Sequence, residues 1–272
     1  MTSIIIRYTI AGIFCLIMLG VWDGKPLAQD IGFVHYTCSN QVYQALDKQK
    51  LDAFTRDEGI RIAVSTMSSD AAVFQLMSGR SDLASTTWHL SPPQIEKGLR
   101  QIPICKDPLA VIARKDCGVH SLREKQVQDI FSGSITNWKA VGGKDLEITV
   151  IVPSEKTAAN RNFRRHFMKR KDIKYDIMTW DSTMAVKTLK YFPCGGISFI
   201  GQGAVAKDRN IRLIKIDDRL PGDPDYPYYQ IFYYVIRGKP PLSEVKKFVD
   251  YTFSEAGRKL ILENGMIPRP RR

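Results

Sequence analysis

From residue 31 onward, short runs of β-branched and aromatic residues alternate with segments whose apolar residues fall three and four apart. A chain that alternates these patterns is constrained to an α/β fold. The pattern predicts strands over residues 31–36, 60–64, 82–86, 109–113, 148–152, 197–200 and 231–236. Between them, Val42, Ala45 and Leu46 lead a helix toward Phe54 that Gly59 ends. Val73, Leu76 and Met77 form a second helical stripe, with Gly79 as its stop. Residues 127–131 close a third helix. Phe163 and Phe167 share the apolar side of a fourth, and two more helices are expected near 243–250 and 254–263. The chain shows no internal repeat, no low-complexity tract and no apolar run past residue 22 long enough to span a membrane.

The 272 residues are 44% hydrophobic and 25% charged, an ordinary globular balance, but the net charge is +12. A basic chain favours nucleic acid, anionic membranes or small anions. The densest basic run, residues 161–171, reads as the solvated face of a helix. No zinc-finger or aromatic RNA-binding signature is present, so no nucleic-acid partner is expected. At the N-terminus, Arg7 precedes an apolar stretch over residues 8–22, followed by Asp23-Gly24-Lys25-Pro26-Leu27-Ala28-Gln29. This is the layout of a secretory signal peptide spanning residues 1–28, with a retained membrane anchor as the competing reading. Export would remove Cys15 and leave Cys38, Cys105, Cys117 and Cys194. These allow up to two disulfides in three connectivities, or free buried thiols, and their spacing fits no zinc site.

Three strand-to-helix junctions share one chemistry: residues 37–40, 68–70 and 154–158 each put a hydroxyl residue at or near a helix start. Capping alone accounts for Ser and Thr at such places. The functional reading is a polar-ligand or anion site built from unpaired N–H groups and short side chains. If the strands are parallel neighbours, all three junctions lie on the sheet edge where ligands of open α/β folds bind. His35, His89, His120 and His166 sit beside no motif, and no nucleophile elbow, zinc-protease helix, Walker loop or dinucleotide fingerprint occurs. Asp82 reads as a structural carboxylate accepting backbone N–H bonds at a strand start. No catalytic group, metal or cofactor is expected.

The segment Ile130-Phe131-Ser132-Gly133-Ser134-Ile135-Thr136-Asn137-Trp138-Lys139-Ala140-Val141-Gly142-Gly143 closely resembles a signature of the phosphate-binding proteins of bacterial ABC transporters, within the type 2 periplasmic binding protein superfamily. Gly79-Arg80-Ser81-Asp82-Leu83-Ala84-Ser85, Gly196-Ile197-Ser198-Phe199-Ile200-Gly201 and Asn264-Gly265-Met266-Ile267-Pro268 resemble further landmarks in the same order. The resemblance implies two lobes, each a central mixed sheet flanked by helices, with a ligand cleft between them. Lobe 1 would hold residues 29–105 and 229–272 and lobe 2 residues 106–228, with crossings near 105–107 and 226–229. It implies a periplasmic monomer that binds phosphate or another small oxyanion for an inner-membrane ABC permease. The alternative is an extracytoplasmic sensory or accessory module reusing the fold.

Carried over position by position, the resemblance nominates Ser39, Asn40, Ser69, Asp70, Thr87, Lys156, Thr157 and Ala158 as ligand contacts. Several of these depart from the family pattern. Asp70 replaces a small residue, and Thr87 stands where the family has the aspartate that accepts the phosphate proton. Lys156-Thr157-Ala158-Ala159 replaces a Gly-Ser-Gly-Thr loop, and Pro153 stands where an arginine is expected. A bidentate arginine is the strongest side-chain donor to a doubly charged oxyanion, and Lys156 is a point charge rather than a fork.

Overall fold

The computed structural model describes residues 34–115, 118–192, 195–238 and 242–271, all within one compact unit, Phe33–Arg272. The expected signal peptide, together with Cys117 and Cys194, lies outside the described residues.

Strand β1 (Val34–Ser39) is buried along nearly its whole length, as a central parallel strand must be. It pairs in parallel with β2 (Ile62–Met67) on one side and β3 (Leu83–Thr86) on the other. The strand-to-helix junction expected at residues 37–40 contains no turn. Thr37 to Ser39 continue the strand, and helix starts at once with α1 (Asn40–Val42), a π turn over Tyr43–Asp47 and then α2 (Lys48–Glu58). Gly59 stops α2 at φ 68, a left-handed conformation that glycine adopts at least cost. Helix α3 (Ser69–Met77) buries Ala72, Val73 and Leu76, and α4 (Pro92–Glu96) follows. Asp82 does what its position suggested: its carboxylate accepts the His35 N–H at 2.8 Å.

The next strand organises the molecule. β4 (Leu99–Arg114) runs for 16 residues. Its first part pairs antiparallel with β11 (Tyr229–Arg237), which in turn pairs with β3. Its last part pairs antiparallel with β8 (Gly196–Gly201) and β9 (Ile211–Leu213). β6 (Thr149–Pro153) joins β8 and β7 (Ile177–Thr179), both in parallel. The order is therefore β2-β1-β3-β11-β4-β8-β6-β7, with β12 (Ile267–Pro268) also on β4. β5 (Ser121–Leu122) and β10 (Lys215–Ile216) form a separate pair. The remaining helices are α5 (Glu124–Phe131), α6 (Ala158–His166), α7 (Ser182–Tyr191), α8 (Ser243–Phe253) and α9 (Glu255–Glu263).

The apolar pattern marks residues 109–113 of this strand, and residues 102–111 resemble the family's strand entering the second lobe; Pro103 and Pro108 would argue against a long central strand. The strand tolerates both. Pro103 lies opposite Tyr233, beside the register shift between Phe232 and Tyr233, and Pro108 lies opposite Tyr229, where β11 begins. Residues 105–107, where the first crossing is expected, lie inside this strand.

Buried apolar residues separate into two halves. Those from Val34 to Cys105 pack with those from Phe232 to Met266, and those from Leu109 to Tyr228 pack together. In the second half Phe163 stacks on Phe199 with ring centroids 3.9 Å apart and planes 3° from parallel. Phe167 stacks on Phe163 and on Tyr228. The signature segment belongs to this core. Ile130, Phe131 and Trp138 are fully buried, the Trp138 indole N–H donates to the Gly195 carbonyl at 3.0 Å, and the Asn137 side chain caps the short 3-10 turn Trp138–Val141. In the first half, Cys38 and Cys105 are free, buried thiols, so any disulfide pairing that includes either of them is excluded.

Candidate functional site

The parallel strands β1, β2, β6 and β7 deliver the helix starts that follow them to the same place. The hydroxyls of Ser39, at the end of β1, and Ser69, the first residue of α3, are bonded to each other at 3.1 Å, and both residues are buried. The Ser39 N–H is held by the Ser85 hydroxyl at 2.9 Å. In the second half, the Thr157 hydroxyl caps α6 by accepting the Asn160 N–H at 3.2 Å and donates to the Ser154 carbonyl at 2.7 Å. Asp181 caps α7, its carboxylate accepting the Met184 N–H at 2.8 Å.

These starts surround one cavity of about 420 Å³. Six of the eight nominated residues line it: Ser39, Asn40, Ser69, Lys156, Thr157 and Ala158. The other two do not. Asp70 pairs instead with Arg161, whose guanidinium reaches it at 3.1 Å. The same guanidinium donates to the Lys156 carbonyl at 3.0 Å and lies 4.4 Å above the Trp88 ring. Arg161 thus joins α6 of the second half to α3 and the segment after β3 of the first. Thr87 lines a smaller neighbouring cavity of about 240 Å³, with His89, Asn162, Arg165, His166 and Tyr233 among its other walls. Its hydroxyl is buried without a hydrogen-bond partner. Burial, and then the nearby Arg165 charge, hold His166 below the ordinary imidazole range. Trp88 lines both cavities.

Sequence reasoning missed a fourth junction, Asp181, Ser182 and Thr183 at the start of α7, and the two indoles Trp88 and Trp180. The signal for α7 was a capping Asp before Ser-Thr, but β7 ahead of it is only three residues long. Gln41 was missed as well. It lines the cavity, and its amide nitrogen and oxygen are both buried without partners. Among the described lining residues, Lys156 and Asp181 are the charged ones. No group of three or more His, Cys, Asp or Glu capable of holding a metal occurs among the described residues.

Where β4 passes between the halves, Asp107 is fully buried. Its carboxylate accepts the Gly203 N–H at 2.9 Å and the Gln230 side-chain amide at 2.8 Å, and Gln230 accepts in turn from Asn162 at 2.7 Å. Burial pushes the Asp107 carboxyl up to about 6, and these hydrogen bonds oppose the shift. Gly201 is required here for space: a Cβ on it would stand 2.0 Å from an Asp107 oxygen.

A family model described as "PBP superfamily domain" matches residues 23–256. The phosphate-binding protein PstS of Bacillus subtilis (strain 168) is 26% identical over 166 residues, a stretch covering 59% of this chain and 54% of that protein. The chain thus spans about half the length of that relative. The phosphate-binding protein PstS of Borreliella burgdorferi is 20% identical over 261 residues, covering 85% of this chain and 93% of its own. Among solved structures, a putative phosphate ABC transporter substrate-binding protein with bound phosphate from Clostridium perfringens superposes with a TM-score of 0.76 at 22% identity. That superposition covers 87% of this chain and 99% of the other, and at such identity the likeness is one of fold.

Proposed function

The chain belongs to the PBP superfamily and has the two-lobed α/β architecture of type 2 periplasmic binding proteins; on that premise we propose that it is an extracytoplasmic solute-binding protein for phosphate or a related oxyanion. One observation carries the reading. A single cavity takes helix starts from both halves, Ser39 and Ser69 from one and Thr157 and Ser182 from the other. Unpaired N–H groups and the positive ends of helix dipoles attract anions, and short hydroxyls add donors. The names of the relatives from Bacillus and Borreliella support phosphate as the first ligand to test.

In this reading lobe 1 is residues 29–105 with 229–272, and lobe 2 is residues 106–228. Ligand contacts from both lobes favour the closed state by population shift. Residues 1–28 direct export, and the loaded monomer delivers its solute to an ABC permease. It catalyses no reaction and binds no nucleic acid. Among the described residues, no helix is long and apolar enough to cross a membrane. Ser39, Asn40, Ser69, Lys156, Thr157 and Ala158 touch the ligand. Asp70 acts at one remove, through Arg161.

Isothermal titration of the purified chain with phosphate, sulfate and molybdate tests this. Saturable heat with at least one of them is the expected result. Absence of both heat and thermal shift with all three would remove the oxyanion reading.

A further inference from the structure

The cavity offers more than a bare oxyanion can use. A five-heavy-atom ion fills roughly the space of two or three waters, on the order of 60–90 Å³. The cavity measures about 420 Å³, within the range of sites that enclose small organic ligands. Its walls are also of the wrong kind for an ion alone. Trp88, Trp180, Met67 and Ile200 give it extensive apolar surface. Trp180 lines it while remaining 89% exposed, an arrangement that leaves a large apolar ring without a partner in the protein.

The polar inventory leads to the same conclusion. Gln41 holds a buried amide whose donor and acceptor are both unmatched, and buried polar groups of folded proteins are matched almost without exception. Its oxygen needs a donor. The exposed Asp181 carboxylate offers a second acceptor at the cavity wall, one of its oxygens being taken by the Met184 N–H. Monohydrogen phosphate carries one proton for these two acceptors.

We infer that the solute is a phosphorylated sugar. Its phosphoryl group sits at the helix starts around Ser69 and Thr157, and its ring packs on the indoles. Its hydroxyls donate to Gln41 and Asp181 and accept from the Gln41 amide. A sugar ring presents both an apolar C–H face and a rim of hydroxyls, which is the combination these walls complement. The inference rests on the oxyanion reading and narrows it.

The test compares inorganic phosphate, glucose 6-phosphate, ribose 5-phosphate, glycerol 3-phosphate and free glucose by titration calorimetry and tryptophan fluorescence. At least one of the two sugar phosphates is expected to bind ten-fold or more tightly than inorganic phosphate and to quench indole emission. In the W180A and Q41L variants that preference is expected to fall to within about three-fold. Trp180 is exposed, so W180A is not expected to compromise folding. Inorganic phosphate binding as tightly as every phosphorylated compound would overturn the sugar assignment and leave the oxyanion reading standing. Glycerol 3-phosphate matching the best sugar phosphate would overturn the role of the ring. Free glucose matching glucose 6-phosphate, or no binding by any phosphorylated compound, would overturn the sugar phosphate, and failure of inorganic phosphate, sulfate and molybdate as well would overturn the oxyanion reading.

Discussion

The two halves of the sheet bury different chemistry. The second half is held by stacked rings, with Phe131, Phe163, Phe167, Phe199 and Tyr228 in continuous contact. The first half buries an ion pair. Lys50 and Asp47 are fully buried 3.2 Å apart. The Asp47 carboxylate also accepts from the Tyr36 and Tyr234 hydroxyls, while the Lys50 ammonium lies 3.5 Å from the Phe248 ring centroid and bonds Thr252. Burial pushes the Lys50 ammonium below its usual range and Asp47 opposes that shift. An apolar core gains by area and tolerates replacement of one ring by another of similar volume. A buried ion pair offers no such tolerance, because each partner exists to compensate the other. The polar half is also the half in which a buried chain of bonds runs from Asp47 through Tyr36, Cys38 and Ser85 to the cavity residue Ser39.

The largest expected effect breaks this contrast directly. Lys50→Met strands a buried carboxylate and should cost about 4 kcal/mol. Phe199→Ala in the other half should cost a similar ~4 kcal/mol through cavity formation. The distinction lies in the second change. Adding Asp47→Leu to Lys50→Met should recover part of the loss, whereas no single added substitution of a neighbouring ring should rescue Phe199→Ala. Urea unfolding of the single and double variants measures this. A double variant less stable than Lys50→Met alone would show that the pair is not the unit of the first core.

The next effect concerns Asp107, at the boundary between the halves. Its folded carboxyl titrates near 6 against an ordinary 3.8, so between those values the folded state holds more protons than the unfolded chain. Stability from this group is therefore full below about pH 3.8 and is lost as pH rises through 6. The difference amounts to roughly 3 kcal/mol. The Asp107→Asn variant should lack this downward slope when stability is measured from pH 4 to 7. An unchanged slope in the variant would move its origin elsewhere.

The smallest effect is at Arg161, the link between the halves at the cavity. Its pair with Asp70 is largely solvent-accessible on both sides, so Arg161→Ala should change unfolding free energy by less than about 1 kcal/mol, and the change should shrink with added salt. A loss of several kcal/mol would make Arg161 part of the fold rather than a contact across it.

These regions also differed in how far the sequence disclosed them. Gly59, Gly79 and the apolar periodicity around Val73 to Met77 marked helix ends and faces correctly because local sterics decide them. Helix α7 escaped notice because Met184 and Tyr191 are apolar yet exposed, which erased the contrast between its faces. The full length of β4 was not legible from its pattern because Pro103 sits beside a register shift in a partner strand more than a hundred residues away and Pro108 lies opposite that strand's first residue. Six of the residues nominated by resemblance fall on one cavity because parallel strands send their helix starts to one edge. Asp70 and Thr87 could not be placed, since an ion pair drew one to Arg161 and chain direction turned the other toward the smaller cavity. The most recognisable segment, around Trp138, proved to be packing in the second core rather than ligand contact.

The continuity of β4 has a further consequence. Ladder bonds from both cores terminate on its sixteen residues, so neither half can release its sheet without exposing strand edges in the other. Amide protons from Leu99 to Arg114 should therefore exchange with solvent as one block, at the rate of global opening. Their protection would report the integrity of the whole chain even when solute-driven motion leaves the cavity walls exchanging quickly.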